Sequence, residues 1–158
     1  LCDQAKNNKI YSIHNETGFN YKLSNIQSAL GCSQFLKLKS YLKKKRNIYK
    51  NYCKLFEKNN NYSLLKPKSF YSSNNWLNIL ILKNKKKNDL GKIIKRCHKN
   101  GIEVRPVWKP NHMQLPFKKF QKYNVRKANK IISTHLCIPS GPELKFKDQK
   151  KIYKIINA

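Results

Sequence analysis

At 158 residues with 39% hydrophobic content, the chain holds apolar material for one ordinary core with an element appended to it. A formal charge of +28 points first to nucleic acid or an anionic membrane. Its make-up argues against both, because lysine outnumbers arginine 31 to 4 and bidentate phosphate recognition favours the guanidinium fork.

Residues 1–22 keep no steady period and read as irregular structure or a short hairpin around Gly18. Ser24 with Gln27 three residues on makes a capping box, and apolar positions then recur at Ile26, Ala29, Leu30, Leu36, Leu42, Tyr49, Tyr52 and Phe56. That spacing predicts one long helix from Ser24 to Phe56, ~45 Å at the usual rise and bent at Gly31, bridging two bodies. Asn59 to Asn61 form a polar break. Asn75 to Leu82 is then predicted as a buried strand. A helix capped by Asn88 or Asp89 follows, with Leu90, Ile93, Ile94 and Cys97 on its apolar face and a left-handed stop at Gly101. Ile102 to Arg105 is predicted as the next strand, giving a strand, helix, strand unit. After a proline-punctuated loop, Pro106 to Pro116, come a short helix near Arg126 to Ser133, a strand at Leu136 to Ile138, a turn at Pro139 to Pro142 and a last helix with Ile152, Ile155 and Ile156.

The chain carries no GxGxxG, P-loop, GxSxG or HExxH, and its seven carboxylates include no closely spaced pair for acid–base work. Five cysteines, Cys2, Cys32, Cys53, Cys97 and Cys137, lie far apart without CxxC or cysteine–histidine metal spacing, which predicts reduced thiols and no metal. No apolar stretch approaches the ~20 residues that span a bilayer, and no signal peptide is visible, so a cytoplasmic protein is expected. The sequence opens at Leu1 and its one methionine is Met113, so a natural start upstream is expected.

Two segments concentrate chemistry. Gly18 to Gln27 crowds polar groups at a helix entrance, and Gly101 to Gln114 places a cation, an indole and an imidazole between stiffening prolines. Asn20, Lys22 and Arg105 suit an anion, and Trp108 offers a flat face to a ring. From residue chemistry alone, Asn20 in an Asx turn, Trp108 in a core, Arg105 at a solvated strand end and His112 in a structural bond stay open as alternatives.

Both segments resemble the DegT/DnrJ/EryC1/StrS family of sugar aminotransferases, fold-type I enzymes that use pyridoxal phosphate. The run from His14 through Gly18-Phe19-Asn20-Tyr21-Lys22-Leu23-Ser24-Asn25-Ile26-Gln27 resembles the family's entry into its interdomain helix. Gly101 to Pro110 with His112 resembles the substrate loop of its small domain, and Leu136 to Pro142 with Asp148-Gln149 its closing strand and helix. The likeness is greatest to members that aminate UDP-linked 4-keto sugars on routes of the bacillosamine or legionaminic acid type.

The resemblance implies an α/β fold, the C-terminal part of a fold-type I transferase with a small α+β domain. Residues 1–23 would end the large cofactor-binding domain, 24–57 form the interdomain helix and 58–158 the small domain. It implies amino transfer, with glutamate as donor, to a nucleotide-linked keto sugar for surface polysaccharide or glycan synthesis by a homodimer that engages neither nucleic acid nor membrane. Asn20 would reach the phosphate of the neighbouring subunit's cofactor, while His14, Lys22, Arg105, Trp108 and His112 line the sugar-nucleotide side. Family members are more than twice this length, and their Schiff-base lysine would lie upstream of Leu1, so the chain alone is expected to be inactive. Two departures stand out: Lys22 where the family often has arginine, and Lys145 where the final helix usually has a Ser or Thr cap. The rival readings are a basic RNA-binding module and a non-catalytic structural relative.

Overall fold

A computed structural model of the chain describes residues 13, 15–18, 23–83 and 87–158. The capping box forms as the sequence predicts: Ser24 Oγ accepts from the Gln27 amide at 3.3 Å, and Gln27 Oε1 accepts from the Ser24 amide at 2.8 Å. It opens α1, Asn25–Phe35. Gly31 stays inside α1, and the expected single helix instead breaks at Leu36 and Lys37 before α2, Leu38–Phe56. Phe35 and Leu36 are exposed, so no packing holds the α geometry there. Local bonds decide, and the Lys37 amide tightens onto the Gln34 carbonyl at 3.0 Å.

α2 buries Ile48, Tyr52 and Phe56, one turn apart on a single stripe. The polar break after it is an Asx turn, in which Asn59 Oδ1 accepts from the amides of Asn61 and Tyr62 at 2.9 and 2.8 Å. That turn launches β1, Tyr62–Leu64, a strand absent from the sequence prediction. β2 is Asn78–Leu82, three residues shorter at its start than predicted, because Asn75 takes a φ of 50° and ends extended geometry there.

α3, Lys87–Lys99, starts before the two residues expected to cap it. Asn88 and Asp89 therefore lie in its first turn, where the Asp89 carboxylate favours the positive end of the helix dipole. Gly101 does stop the helix, at φ 71°: its amide bonds the His98 carbonyl and the Ile102 amide bonds that of Cys97, a Schellman arrangement. The predicted strand Ile102 to Arg105 shrinks to β3, Arg105–Pro106. The backbone before it is engaged elsewhere, since the Val104 carbonyl accepts from His98 Nε2 at 3.0 Å.

α4, Arg126–Thr134, runs directly into β4, His135–Ile138, and α5, Phe146–Asn157, closes the chain. Lys145 cannot accept an amide bond as Ser or Thr would, but Asp148 Oδ2 accepts from the Lys145 amide at 3.3 Å and supplies half of the missing cap.

The four strands lie in the order β1-β2-β4-β3, each antiparallel to its neighbour. β2 and β3, joined through α3, thus run parallel with β4 between them, a split βαβ unit. Tyr62, Leu64, Leu80, Leu82, Leu136 and Ile138 occupy the covered face. They form one core with Ile48, Tyr52 and Phe56 of α2, Ile93, Ile94 and Cys97 of α3, and Ile152 and Ile156 of α5. Residues before and after position 57 thus contribute to one hydrophobic core. Gln149, fully buried, ties α5 to α2 by donating to the Ile48 carbonyl at 2.8 Å and accepting from Asn51 at 3.1 Å. The alternate residues Ser63, Ile79, Ile81, His135 and Cys137 are only half-buried, and Arg105 pairs with Cys137 on that more open face.

Candidate functional site

The described part of the candidate site is the segment from β3 to the second of two single-turn 3-10 helices, Asn111–Met113 and Leu115–Phe117. β3 anchors its start against Cys137 and Leu136, and Val107 extends the contact through its amide to the His135 carbonyl at 3.4 Å. Pro106 and Pro110 fix φ on either side of Trp108. Gln114, buried, closes the loop by donating from Nε2 to the Lys109 carbonyl at 3.2 Å. His112 Nε2 donates to Asn129 Oδ1 on α4 at 2.8 Å, so this imidazole has the structural partner that the sequence left open.

Arg105 is committed to a carboxylate two residues away. Its Nε donates to Glu103 Oε1 at 2.8 Å, and Nη2 bonds the same oxygen. The pair is exposed, and exposed pairs contribute about 1 kcal/mol or less, so an incoming anion exchanges with Glu103 at small cost. Arg105 and Glu103 border a groove of about 640 Å³ between the sheet edge and α5, with Ser140, Asp148 and Lys151 on its other side. Trp108 and His112 do not border that groove. The three described candidates thus share one loop without converging on one cavity. His14, Asn20 and Lys22 lie outside the described residues.

Trp108 meets a residue that the sequence reading had placed in a buried strand. The rings of Trp76 and Trp108 have centroids 5.8 Å apart and planes 33° from parallel, and they stay 64% and 52% exposed. The missed signal is the run Ser72-Ser73-Asn74-Asn75, whose turn chemistry ahead of Trp76 marks a loop.

Burial sets the titration of nearby groups. It pushes the Cys137 thiol up and the His135 imidazole down, the latter opposed by a backbone bond to Ile131. Burial, with a bond to Cys53, pushes the Tyr49 hydroxyl up to about 12.

Among the described residues no lysine and no carboxylate is buried, so they do not form a cradle for an aldehyde cofactor by themselves. Nor do three His, Cys, Asp or Glu side chains cluster as metal ligands do, and no helix is long and apolar enough to cross a membrane. Exposed lysines occur on α2, α3, α4 and α5 alike, a solvated surface on several sides.

The model of the DegT/DnrJ/EryC1/StrS aminotransferase family matches residues 2–157. EpsN of Bacillus subtilis, whose name includes the words pyridoxal phosphate-dependent aminotransferase, is 28% identical over 99% of this chain and 41% of its own length. The UDP-4-amino-4,6-dideoxy-N-acetyl-beta-L-altrosamine transaminase of Campylobacter jejuni is 31% identical over 85% of this chain and 36% of its own. Helicobacter pylori PseC, an aminotransferase involved in the biosynthesis of pseudoaminic acid, superposes with a TM-score of 0.77 at 23% identity, over 96% of this chain and 41% of that one. The chain therefore spans about two fifths of the length of these relatives. A sugar aminotransferase of Streptococcus pneumoniae shares the fold, with a TM-score of 0.77 at 20% identity over 89% of this chain and 36% of its own, in the form carrying pyridoxal phosphate. Pyridoxal phosphate is the cofactor these relatives indicate. With residues 2–157 matched, a span that takes in the sheet, the closing helix and the proline-stiffened loop, the chain belongs to the DegT/DnrJ/EryC1/StrS aminotransferase family.

Proposed function

We propose that this chain is the C-terminal part of an aminotransferase that transfers an amino group, from glutamate, to a nucleotide-linked keto sugar in the synthesis of a surface polysaccharide or glycan. The observation that carries the reading is the family match over residues 2–157, which includes the whole loop bearing Arg105, Trp108 and His112. The relatives' UDP-sugar transaminase names supply the substrate class.

Bound pyridoxal phosphate supplies the electron sink that lets nitrogen pass between donor and sugar. The described residues provide no buried lysine or acid to hold its ring, so no step of that exchange is assigned to them. Their part is recognition. Arg105, released from Glu103, neutralises a phosphate of the substrate; Trp108 takes its flat ring; and His112, held by Asn129, fixes the loop against α4. Asn20 is assigned to the cofactor phosphate across a homodimer, with His14 and Lys22 on the substrate side. A cytoplasmic location, and no engagement of nucleic acid or membrane, belong to the same reading.

The test is amination of a UDP-linked 4-keto sugar by the natural full-length protein with glutamate and pyridoxal phosphate. Arg105→Ala is expected to raise KM about 10- to 100-fold with kcat nearly unchanged, as for a contact made equally in ground and transition states. Lys92→Ala, an exposed charge on α3, is expected to change neither. The 158 residues alone, given cofactor, are expected to show no turnover. No amination of any nucleotide sugar by the full-length protein, or equal effects at Arg105 and Lys92, would overturn the reading.

A further inference from the structure

Trp76 stands outside every role assigned above, yet side chains hold its backbone on both sides. Asn75 sits at a φ of 50°, the Asn75 amide donates to Ser73 Oγ at 3.1 Å, and the Trp76 amide donates to Asn74 Oδ1 at 3.0 Å. On the far side, Ser140 Oγ donates to the Trp76 carbonyl at 2.8 Å. Its backbone is thus bonded from both ends by side chains, and Trp108 opposite lies on a loop stiffened by Pro106 and Pro110. Two indoles in mutual contact would ordinarily be covered; these leave 64% and 52% of their surface in solvent. A rigid aromatic surface of this size offers stacking area at low entropic cost.

We propose that Trp76 and Trp108 together form the stacking surface for the nucleobase of the nucleotide-linked substrate, with Trp76 supplying part of its binding energy. The inference rests on the aminotransferase reading above and adds a binding residue to it. The geometry specifies how the base binds. A ring sandwiched between two others needs their planes about 7 Å apart, twice the van der Waals contact of carbon, and the indole centroids are 5.8 Å apart. The base therefore lies on the outer, solvent-facing side of the tilted pair. The surroundings suit a nucleotide rather than an apolar protein segment, because Lys109 and Arg105 flank Trp108 in the sequence and carboxylates are scarce, seven in the whole chain.

Trp76 and Trp108 are the two tryptophans of the chain, so emission excited at the red edge of the indole band, where the nine tyrosines do not absorb, reports on this surface. The experiment titrates the 158-residue chain with UDP, uridine and inorganic pyrophosphate, with circular dichroism confirming the fold of each variant. UDP and uridine are expected to quench the emission at millimolar concentration, whereas pyrophosphate is not. In Trp108→Phe, where Trp76 alone reports, UDP is expected still to quench. Trp76→Ala is expected to weaken UDP binding about five- to hundredfold, and Trp76→Phe to keep most of it, since stacking tolerates any aromatic face. No quenching by UDP, equal quenching by pyrophosphate, or unchanged UDP affinity in Trp76→Ala would each overturn the proposal. In the full-length protein, Trp76→Ala should raise KM for the sugar nucleotide and spare kcat. Amination with an unaltered KM refutes the role of Trp76 alone, whereas no amination of any nucleotide sugar by the unsubstituted protein refutes the reading on which it rests.

Discussion

Helices α1 and α2 follow one another in the chain, and both carry apolar residues near helical spacing, yet they stand in opposite situations. α1 buries nothing, and Ile26, Leu30 and Phe35 face solvent. α2 puts Ile48, Tyr52 and Phe56 into the core. The difference lies in what each helix relies on. Eleven residues are too few for a helix to be stable in water by itself, so α1 depends on its capping box and on whatever comes to lie against it. α2 depends on tertiary burial, which outweighs its many lysines. Apolar spacing along a sequence therefore marks where a helix can be covered, and only the partner decides whether it is.

The strongest way to break this contrast is to truncate matched side chains. Phe56→Ala is expected to cost about 3–5 kcal/mol in urea-induced unfolding, and Leu30→Ala within about 0.5 kcal/mol of nothing. Comparable losses at both positions would mean that α1 is covered in the isolated chain. A smaller effect should come from the cap. Ser24→Ala removes the Oγ half of the box, leaving the backbone amide bonded to Gln27 Oε1, and is expected to cost about 1 kcal/mol of α1 stability, visible as faster amide exchange from residues 27 to 31, with the unfolding midpoint unmoved. A shifted midpoint would show that α1 unfolds together with the core.

The smallest expected effect is one of pH, and it sharpens the contrast because His135 belongs to the sheet. Burial lowers its pKa in the folded state, so the unfolded chain binds the proton more readily. The stabilisation is therefore complete above about 6.5, the unfolded value, and is lost as pH falls through the lower folded value. The thermal midpoint of the sheet and α2 should drop between pH 7.5 and 5.5, and His135→Gln should flatten that drop. Helicity of α1 should not follow it.

Much of the molecule was legible because local chemistry and tertiary packing agree. The Ser24 capping box, the Gly101 stop, the apolar stripe of α3 and the strand at Leu136 to Ile138 each combine a short-range signal with burial. Two of the features that escaped prediction had no clear local signal of their own. β1 is three residues launched by the Asn59 side chain, and the break at Leu36–Lys37 arises from an absence of packing that no residue type announces. At the site, the loop of Arg105, Trp108 and His112 was visible from its prolines and the family resemblance. The Glu103 partner of Arg105 and the Asn129 partner of His112 required three dimensions. Trp76 was missed because an apolar run read as buried, whereas its backbone turns outward at Asn75.

The insertion of β4 between β2 and β3 also orders events during synthesis. Asn78 lies opposite Ile138 and Arg105 opposite Cys137, so neither inner edge finds its partner until the ribosome has released residues 135–138. Until then β2 has only β1 beside it, and the loop that carries Arg105 and Trp108 has nothing to hang from. Closing so long a loop costs entropy that grows only with the logarithm of its length, but it must be met before the contacts form. The nascent segment is thus expected to complete the sheet, and to anchor the loop of Arg105 and Trp108, only once residues 135–138 are free to pair.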